Sequence, residues 1–432
     1  MNRLNWWYLS LVVAAYMIGL GNIWKFPALL LKHGLGGLVV YMVMVVLMIP
    51  LIAVAMDSTK HKRYELLEYY LKEYNKPAFG FMFFLFDLIL ISYYTLVGGW
   101  TITSLFIKDV SSSFTGNLIS LVLVFIILSL ILLRGRERTL DIMVISVGLF
   151  FIAILFVVPV IHIKIGTLKV SYAASEWLKQ AFAWRGITLD TVGDMAQQAA
   201  YSLSLGMGFY LILGEFLPEN ISPVKIAAIG AVLDTLASLI ATYMITMILA
   251  LNPGVPIEGT ALLFKGLPNV LTYGLNAKFL LYLINVSIFL AALSSMIPIG
   301  ETILRAYEEL SKMDRDKAVP IVMGSAFVLG LLSIVGLNLV HVNTIGILDG
   351  AVSTFVLFGG IIAAWAVIER REYITKGLHE ASYIGIIIIG ILGLYSLYHL
   401  VISGQYVAVI VLITLIILSL GLNGYLRKFL TR

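Results

Sequence analysis

An all-α fold that crosses a membrane about twelve times is predicted by three features of the chain. Hydrophobic residues make up 60% of its 432 positions and charged residues 12%, with a mean hydropathy of +1.00. A soluble domain of this size has no use for so much apolar surface. The apolar runs are also continuous and of bilayer length, rather than the ten-residue alternations of a membrane barrel. Finally, two runs are interrupted in their middles by glycines and polar residues.

The runs place spans at about 6–31, 38–56, 78–107, 116–133, 140–162, 194–216, 223–250, 277–310, 319–338, 347–368, 381–401 and 406–426. The loops between them are short, with exceptions at about 163–193 and 251–276. SEWLKQAFAW in the first reads as a surface helix, and the second as short helices over the same face. Alternate loops and both termini collect 18 Lys and Arg against 7 on the opposite side. The positive-inside rule then puts both termini in the cytoplasm of a multi-pass cell-membrane protein. The pI of about 9.1 is thus a topology signal with the lipid bilayer as partner, and no nucleic-acid role is expected. No cleavable signal peptide is expected, because the first apolar run continues past any plausible cleavage site. The chain has no cysteine, which excludes disulfides and thiolate-bound metal. Its six histidines are scattered, with no pair at metal-binding spacing.

In span 1 the apolar run Trp6 to Ile18, thirteen residues or about 20 Å of helix, leads into the break in IGLGNIWKFP (18–27). The interruption therefore falls inside the bilayer, where a broken helix survives only beside a protein cavity. Freed carbonyls there can hold a cation and freed amides an anion. A tight helix-packing face made by Gly19 and Gly21 is the other reading. Span 6 carries a second interruption, YSLSLGMG (201–208). Two broken spans five apart point to a five-plus-five inverted repeat, 6–162 and 194–368, with a site between the halves and spans 11–12 (381–426) outside them. Asp234 sits in the middle of an apolar helix and is a functional candidate on that ground; a structural ion pair is its alternative. Spans 1, 6, 7 and 8 offer it no basic residue in their interiors. The adjacent Ser294 and Ser295 can simply bond back to their own helix. Asp87 and Glu301 are further mid-span acids, and Asp87 has no evident partner.

The sequence resembles the neurotransmitter:sodium symporter family, as a prokaryotic amino-acid transporter member. GLGNIWKFP (19–27), QAAYSLSLGMG (198–208), LDTLASLIA (233–241), FLAALSSM (289–296) and EGTALLFKGLP (258–268) carry the likeness in order, from about residue 6 to residue 370. The resemblance implies two sodium ions. The first would be held by the Met17 carbonyl, Asn22, Ser202 and Asp234 with the substrate carboxylate. The second would be held by carbonyls of Ala15, Ile18 and Ala291 and the hydroxyls of Ser294 and Ser295. Relatives that bind chloride would use positions matching Tyr41, Gln198, Ser202 and Ser238. Asp234 already puts a negative charge one helical turn from Ser238, so chloride independence is expected.

The substrate pocket implied by the resemblance is Tyr16, Met17, Leu20, Gly21, Leu90, Tyr94, Tyr201, Ser202, Ser204, Met207, Ser295 and Ile299. Gly19 stands where monoamine carriers have an aspartate, and so leaves room for an amino-acid carboxylate. Lys25 and Asp349 would form the outer gate, Tyr94 and Tyr201 would roof the substrate, and Arg3 and Glu309 would form the inner gate. An exposed surface pair is the alternative for Arg3. The expected function is sodium-coupled import of a neutral hydrophobic L-amino acid by alternating access, by a monomer or weak homo-oligomer. A proton-coupled carrier of the same fold and a non-transporting sensor are the alternatives. No nucleophile–base or metal set suggests an enzyme.

Overall fold

The computed structural model describes residues 5–107, 109–167, 171–251, 278–370, 374 and 376–431. Arg3, the 258–268 motif and the short helices expected over 251–276 lie outside the described residues. Among those described, every regular element is helical apart from one isolated bridge, Gly34 to Trp184.

Span 1 comprises α1 (Trp6–Met17), α2 (Leu20–Ile23) and the start of α3 (Lys25–Lys60). Helix α3 runs through the turn into span 2, with Gly34 at φ +64° and ψ −154° inside it. A Cβ there would drive into the Ala183 carbonyl, which accepts the Leu35 amide at 2.9 Å. Both the conformation and the close approach require glycine. Next come α4 (Leu66–Tyr74), α5 (Ala78–Thr103), α6 (Phe114–Leu132), α7 (Arg136–Thr167) and the surface helix α8 (Ser171–Ala181). Span 6 is α9 (Leu189–Ser202) and α10 (Phe209–Glu215). There follow α11 (Pro223–Leu251), α12 (Lys278–Ser311), α13 (Arg315–Asn338), α14 (Thr344–Ala363), α15 (Ala366–Glu369) and α16 (Lys376–Ile402). The last two are α17 (Tyr406–Gly421) and α18 (Asn423–Leu430).

Nine described helices or near-continuous helix pairs are long and apolar enough to span alone. Span 1, broken span 6 and the bent pair α17–α18 complete the twelve passes. The structure departs from expectation at two places. The 61–77 connection is not a plain short loop: it contains α4, whose Leu66, Leu67, Tyr69, Tyr70 and Tyr74 are buried. Span 12 stops at Gly421, five residues early, and turns by 47° into the amphipathic α18. The reason is sequence polarity: NGYLRKFL cannot continue an apolar span, and Asn423 instead accepts the Ala78 amide at 3.2 Å.

The most enclosed helices are α5 and α12, each buried on all sides over much of its length. Helix α1 packs on α7, α11 and α12. These contacts hold the break of span 1 in the centre of the bundle, where Tyr16, Ile18 and Leu20 have no solvent exposure.

Candidate functional site

The break of span 1 is built by diverted hydrogen bonds. The Gly19 amide donates to Asn22 Oδ1 at 2.9 Å rather than to the Ala15 carbonyl four residues back. The Asn22 amide donates to the Gly19 carbonyl at 3.3 Å rather than to Ile18. The Leu20 amide donates to the Tyr94 hydroxyl at 2.8 Å, and the Tyr16 carbonyl accepts from Ser204 Oγ at 2.9 Å. Three carbonyls are thus released from the helix ladder, those of Ala15, Tyr16 and Ile18. Two of them are carbonyls expected to hold the second sodium.

The span 6 break requires glycine for a different reason. Gly206 (φ +81°) lies against the backbone of α14 at Val356, Gly359 and Gly360, so any side chain would collide with main chain. Gly208 (φ +76°) starts α10. Between them Met207 is turned toward the span 1 break, and both line one cavity.

That cavity, of about 20 Å³, is lined by Tyr16, Met17, Gly19, Gly21, Asn22, Leu90, Tyr94, Tyr201, Ser202, Ser204, Met207, Ser295 and Ile299. Eleven of the twelve residues expected for the substrate are brought together here. Leu20 is not among them: its side chain lines a second cavity of about 610 Å³, which also includes Lys25, Lys32, Asp194 and Asp349. Tyr94, Tyr201 and Gly21 line both cavities, so the two tyrosines form the partition between them. Gly19 and Asn22 also line the pocket; the break motif itself was the signal that could have included them. A Cβ on Gly19 would press on the Tyr94 hydroxyl.

Behind the pocket lies a buried polar cluster. Asn22 Nδ2 lies 2.8 Å from Ser202 Oγ, 2.6 Å from Asp234 Oδ1 and 2.8 Å from Ser238 Oγ. Ser202 Oγ donates to Asp234 Oδ2 at 2.7 Å, and the Tyr41 hydroxyl donates to the same oxygen at 3.1 Å. Gln198 Nε2 donates to the Gly21 carbonyl at 3.4 Å, and its Oε1 is buried without a partner. Asp234 has no solvent exposure and no basic partner among the described residues. One helix expectation needs correction: Arg305 is basic and buried inside span 8. It serves Glu65 and Glu215, not Asp234. The carboxylate, two hydroxyls and phenol gathered here form an oxygen set that fits a hard monovalent ion.

At the second expected ion position the serines follow the plainer reading. Ser294 Oγ donates to the Ala291 carbonyl at 2.9 Å, and Ser295 Oγ to Ala292 at 3.0 Å. Ser295 Oγ is also 3.3 Å from the Tyr94 hydroxyl. The hydroxyl lone pairs left over and the released Ala15 and Ile18 carbonyls still fit a cation.

The expected gates differ from each other. Lys25 and Asp349 line the same vestibule but form no ion pair among the described residues. Lys25 Nζ lies 5.4 Å from the centre of the Tyr201 ring, and Asp349 accepts from the Tyr93 hydroxyl at 3.0 Å. Glu309 is 4% exposed and caps α4, accepting the Leu67 amide at 3.1 Å and the Glu68 amide at 2.8 Å.

No protein-family model matches the chain. It is 26% identical over 368 residues to a Haemophilus influenzae protein described as an uncharacterized sodium-dependent transporter, covering 76% of this chain and 79% of the relative. Its fold matches the crystal structure of MhsT in complex with L-phenylalanine. The TM-score is 0.77 at 20% identity, over 90% of this chain and 98% of that one. The chain is thus a multi-pass, all-helical membrane protein similar to transporters rather than enzymes, and its resemblance to the neurotransmitter:sodium symporter family stands.

Proposed function

We propose that the protein is a sodium-coupled symporter that imports a neutral hydrophobic L-amino acid by alternating access. The carrying observation is the pocket itself. Broken backbone from spans 1 and 6, the oxygens of Ser202 and Asn22 and the apolar Leu90, Met207 and Ile299 meet in one enclosed space. The likeness to a sodium-dependent transporter supports the ion, and the phenylalanine held by MhsT supports the substrate class.

A substrate carboxylate would lie at the Leu20 and Gly21 amides, beside the Tyr94 hydroxyl and the first sodium. Its ammonium would lie at the Met17, Tyr201 and Ser202 carbonyls and Ser204. The side chain would push aside Met207, whose unbranched thioether adapts readily. Sodium at Met17, Asn22, Ser202 and Asp234 would share a ligand with the substrate, which couples the two affinities. A second sodium at Ala15, Ile18, Ala291, Ser294 and Ser295 would tie span 1 to span 8, and its departure would release the first half of span 1. Asp234 supplies the negative charge near Ser238, so chloride is not required. The two halves, 6–162 and 194–368, would move against each other with spans 11–12 (381–426) outside them. The termini face the cytoplasm of the cell membrane, and one chain suffices, alone or in a weak homo-oligomer.

Uptake of labelled leucine, phenylalanine and tryptophan into proteoliposomes under inward sodium, potassium or proton gradients tests this. Uptake driven by sodium alone, unchanged by chloride removal and lost in Asp234→Ala, is expected. Uptake driven by protons and indifferent to sodium would overturn both ion assignments. Binding without uptake under every gradient would make the protein a sensor.

A further inference from the structure

Two mid-span acids lie outside the polar cluster, and the fold treats them differently. Glu301 accepts from Thr139 Oγ1 at 3.0 Å and is paired with the Arg315 guanidinium. Asp87, on α5, is 2% exposed and has no hydrogen-bond or ionic partner among the described residues; its Oδ2 is fully enclosed. An ionisable neighbour is the buried Tyr16 hydroxyl of α1. The elements packed on α5 are α4, α6, α12, α13, α14 and α17. Their charged groups are committed elsewhere: Glu301 to Arg315, Arg305 to Glu65 and Glu215, and Asp349 to Tyr93.

Position gives this carboxyl its meaning. Residues 87, 90 and 94 fall on one helical face, at i, i+3 and i+7. Leu90, Tyr94 and Tyr16 line the pocket. Asp87 therefore lies one turn below Leu90, on the side of the pocket away from the vestibule. Helix α5 begins at the face that holds the termini, so this is the side that faces the cytoplasm in the proposed orientation. A lone carboxylate in such a dry site is strongly disfavoured, and the neutral acid is the form that fits.

We propose that Asp87 is a proton-binding site of the carrier, occupied while the cytoplasmic face is closed and emptied into cytoplasmic water when that face opens. The inference rests on the alternating-access reading above. On opening, the hydrated carboxyl loses its proton to water and becomes a carboxylate. Before the face closes again, the carboxylate takes a proton back from the same water. No proton crosses the membrane in this exchange. Cytoplasmic acid instead favours the outward-facing state, and cytoplasmic base holds the carrier open to the inside.

The natural absence of cysteine provides the test. Ala28 lines the vestibule, so Ala28→Cys reports outward opening through its rate of maleimide labelling. Corrected for thiol ionisation, labelling should fall by about tenfold or more from about pH 6 to about pH 9, because one linked proton changes the opening equilibrium by up to about tenfold per pH unit. Adding Asp87→Asn should hold the rate at its acid value throughout, with Asp87→Leu as a second variant that also removes the charge. Infrared spectra at neutral pH should show a protonated-carboxyl band that disappears in Asp87→Asn. A pH slope that survives both substitutions would overturn the proposal, as would an unchanged infrared band. A flat parent profile with the band present would overturn the coupling. If exchange of sodium for potassium also leaves labelling unchanged, the failure lies in the alternating-access reading instead.

Discussion

The two ends of the bundle use their charges in opposite ways. At the vestibule end, Lys25 and Asp349 flank a cavity of about 610 Å³ and do not pair. At the end that holds the termini, charges interlock. Arg305, 1% exposed, donates to Glu65 at 3.2 Å and to Glu215 at 2.9 Å, joining α12 to α10 and the start of α4. Arg136 reaches Glu308 at 3.3 Å, Arg315 pairs with Glu301, and Lys76 pairs with Glu369. Lys60 donates to the Glu219 and Ile221 carbonyls at 2.9 and 3.0 Å. One end is open and held by hydrogen bonds to tyrosine; the other is closed and cross-linked. On the proposed transport reading, this conformation opens toward the vestibule and is closed at the end where the charges interlock.

Breaking the closed end should therefore have the largest effect. Arg305→Met removes the buried cation and leaves Glu215 facing it without a partner. Loss of one member of a buried pair costs about 3–5 kcal/mol, and the partial exposure of Glu65 places this case near the lower bound. We expect a large fall in thermal midpoint, together with new labelling of cysteines placed on the pathway at the end that holds the termini. Restored stability with no change in labelling in a double variant, Arg305→Met with Glu215→Leu, would show that the network supports folding alone. Glu309→Ala should come next. It removes an anion from two amides at the start of α4, a loss of about 1–2 kcal/mol. Glu309→Gln, which can still accept one amide, should recover about half. Hydrogen exchange at Leu67 and Glu68 reads this directly: faster exchange confined to α4 is expected, and unchanged exchange would rule the cap out.

Legibility in the sequence followed the same division. The twelve spans and both breaks could be read because lipid punishes polar interruption so heavily that GLGNIWKFP and YSLSLGMG stand out against their surroundings. Eleven pocket residues converge for the same reason, since the break motifs fix where backbone and side chains meet. Leu20 lines the neighbouring cavity while its amide reaches the Tyr94 hydroxyl, a division between side chain and backbone that no motif specifies. The closed end was legible only in part. Arg305 gives no sign of its partners in the sequence, yet it pairs with Glu65 at the start of α4 and Glu215 on α10; pairing with distant elements leaves no local pattern. Helix α4 was missed because its nine residues are half polar, and its cap, Glu309, comes from more than two hundred residues away. The released carbonyls at Ala15 and Ile18 likewise depend on an Asn22 rotamer, which sequence does not record.

The smallest effect, and the sharpest comparison, belongs to the open end. Lys25 is a point charge whose ammonium sits over Tyr201, whereas an arginine there could lie flat on that ring and still offer two parallel N–H donors to Asp349. Lys25→Arg should leave stability within about 1 kcal/mol, because solvent-exposed ion pairs contribute little. Its effect should appear in kinetics. A bidentate pair across the vestibule favours the closed-over state, so labelling of Ala28→Cys should slow by a few-fold and substrate should dissociate outward more slowly. Asp349→Asn in the same background removes the acceptor charge and should restore the parent rate. If Lys25→Arg instead leaves labelling unchanged while Arg305→Met still opens the end that holds the termini, the vestibule charges do not gate, and closure at the vestibule falls to the Tyr94–Tyr201 partition, which lines both cavities.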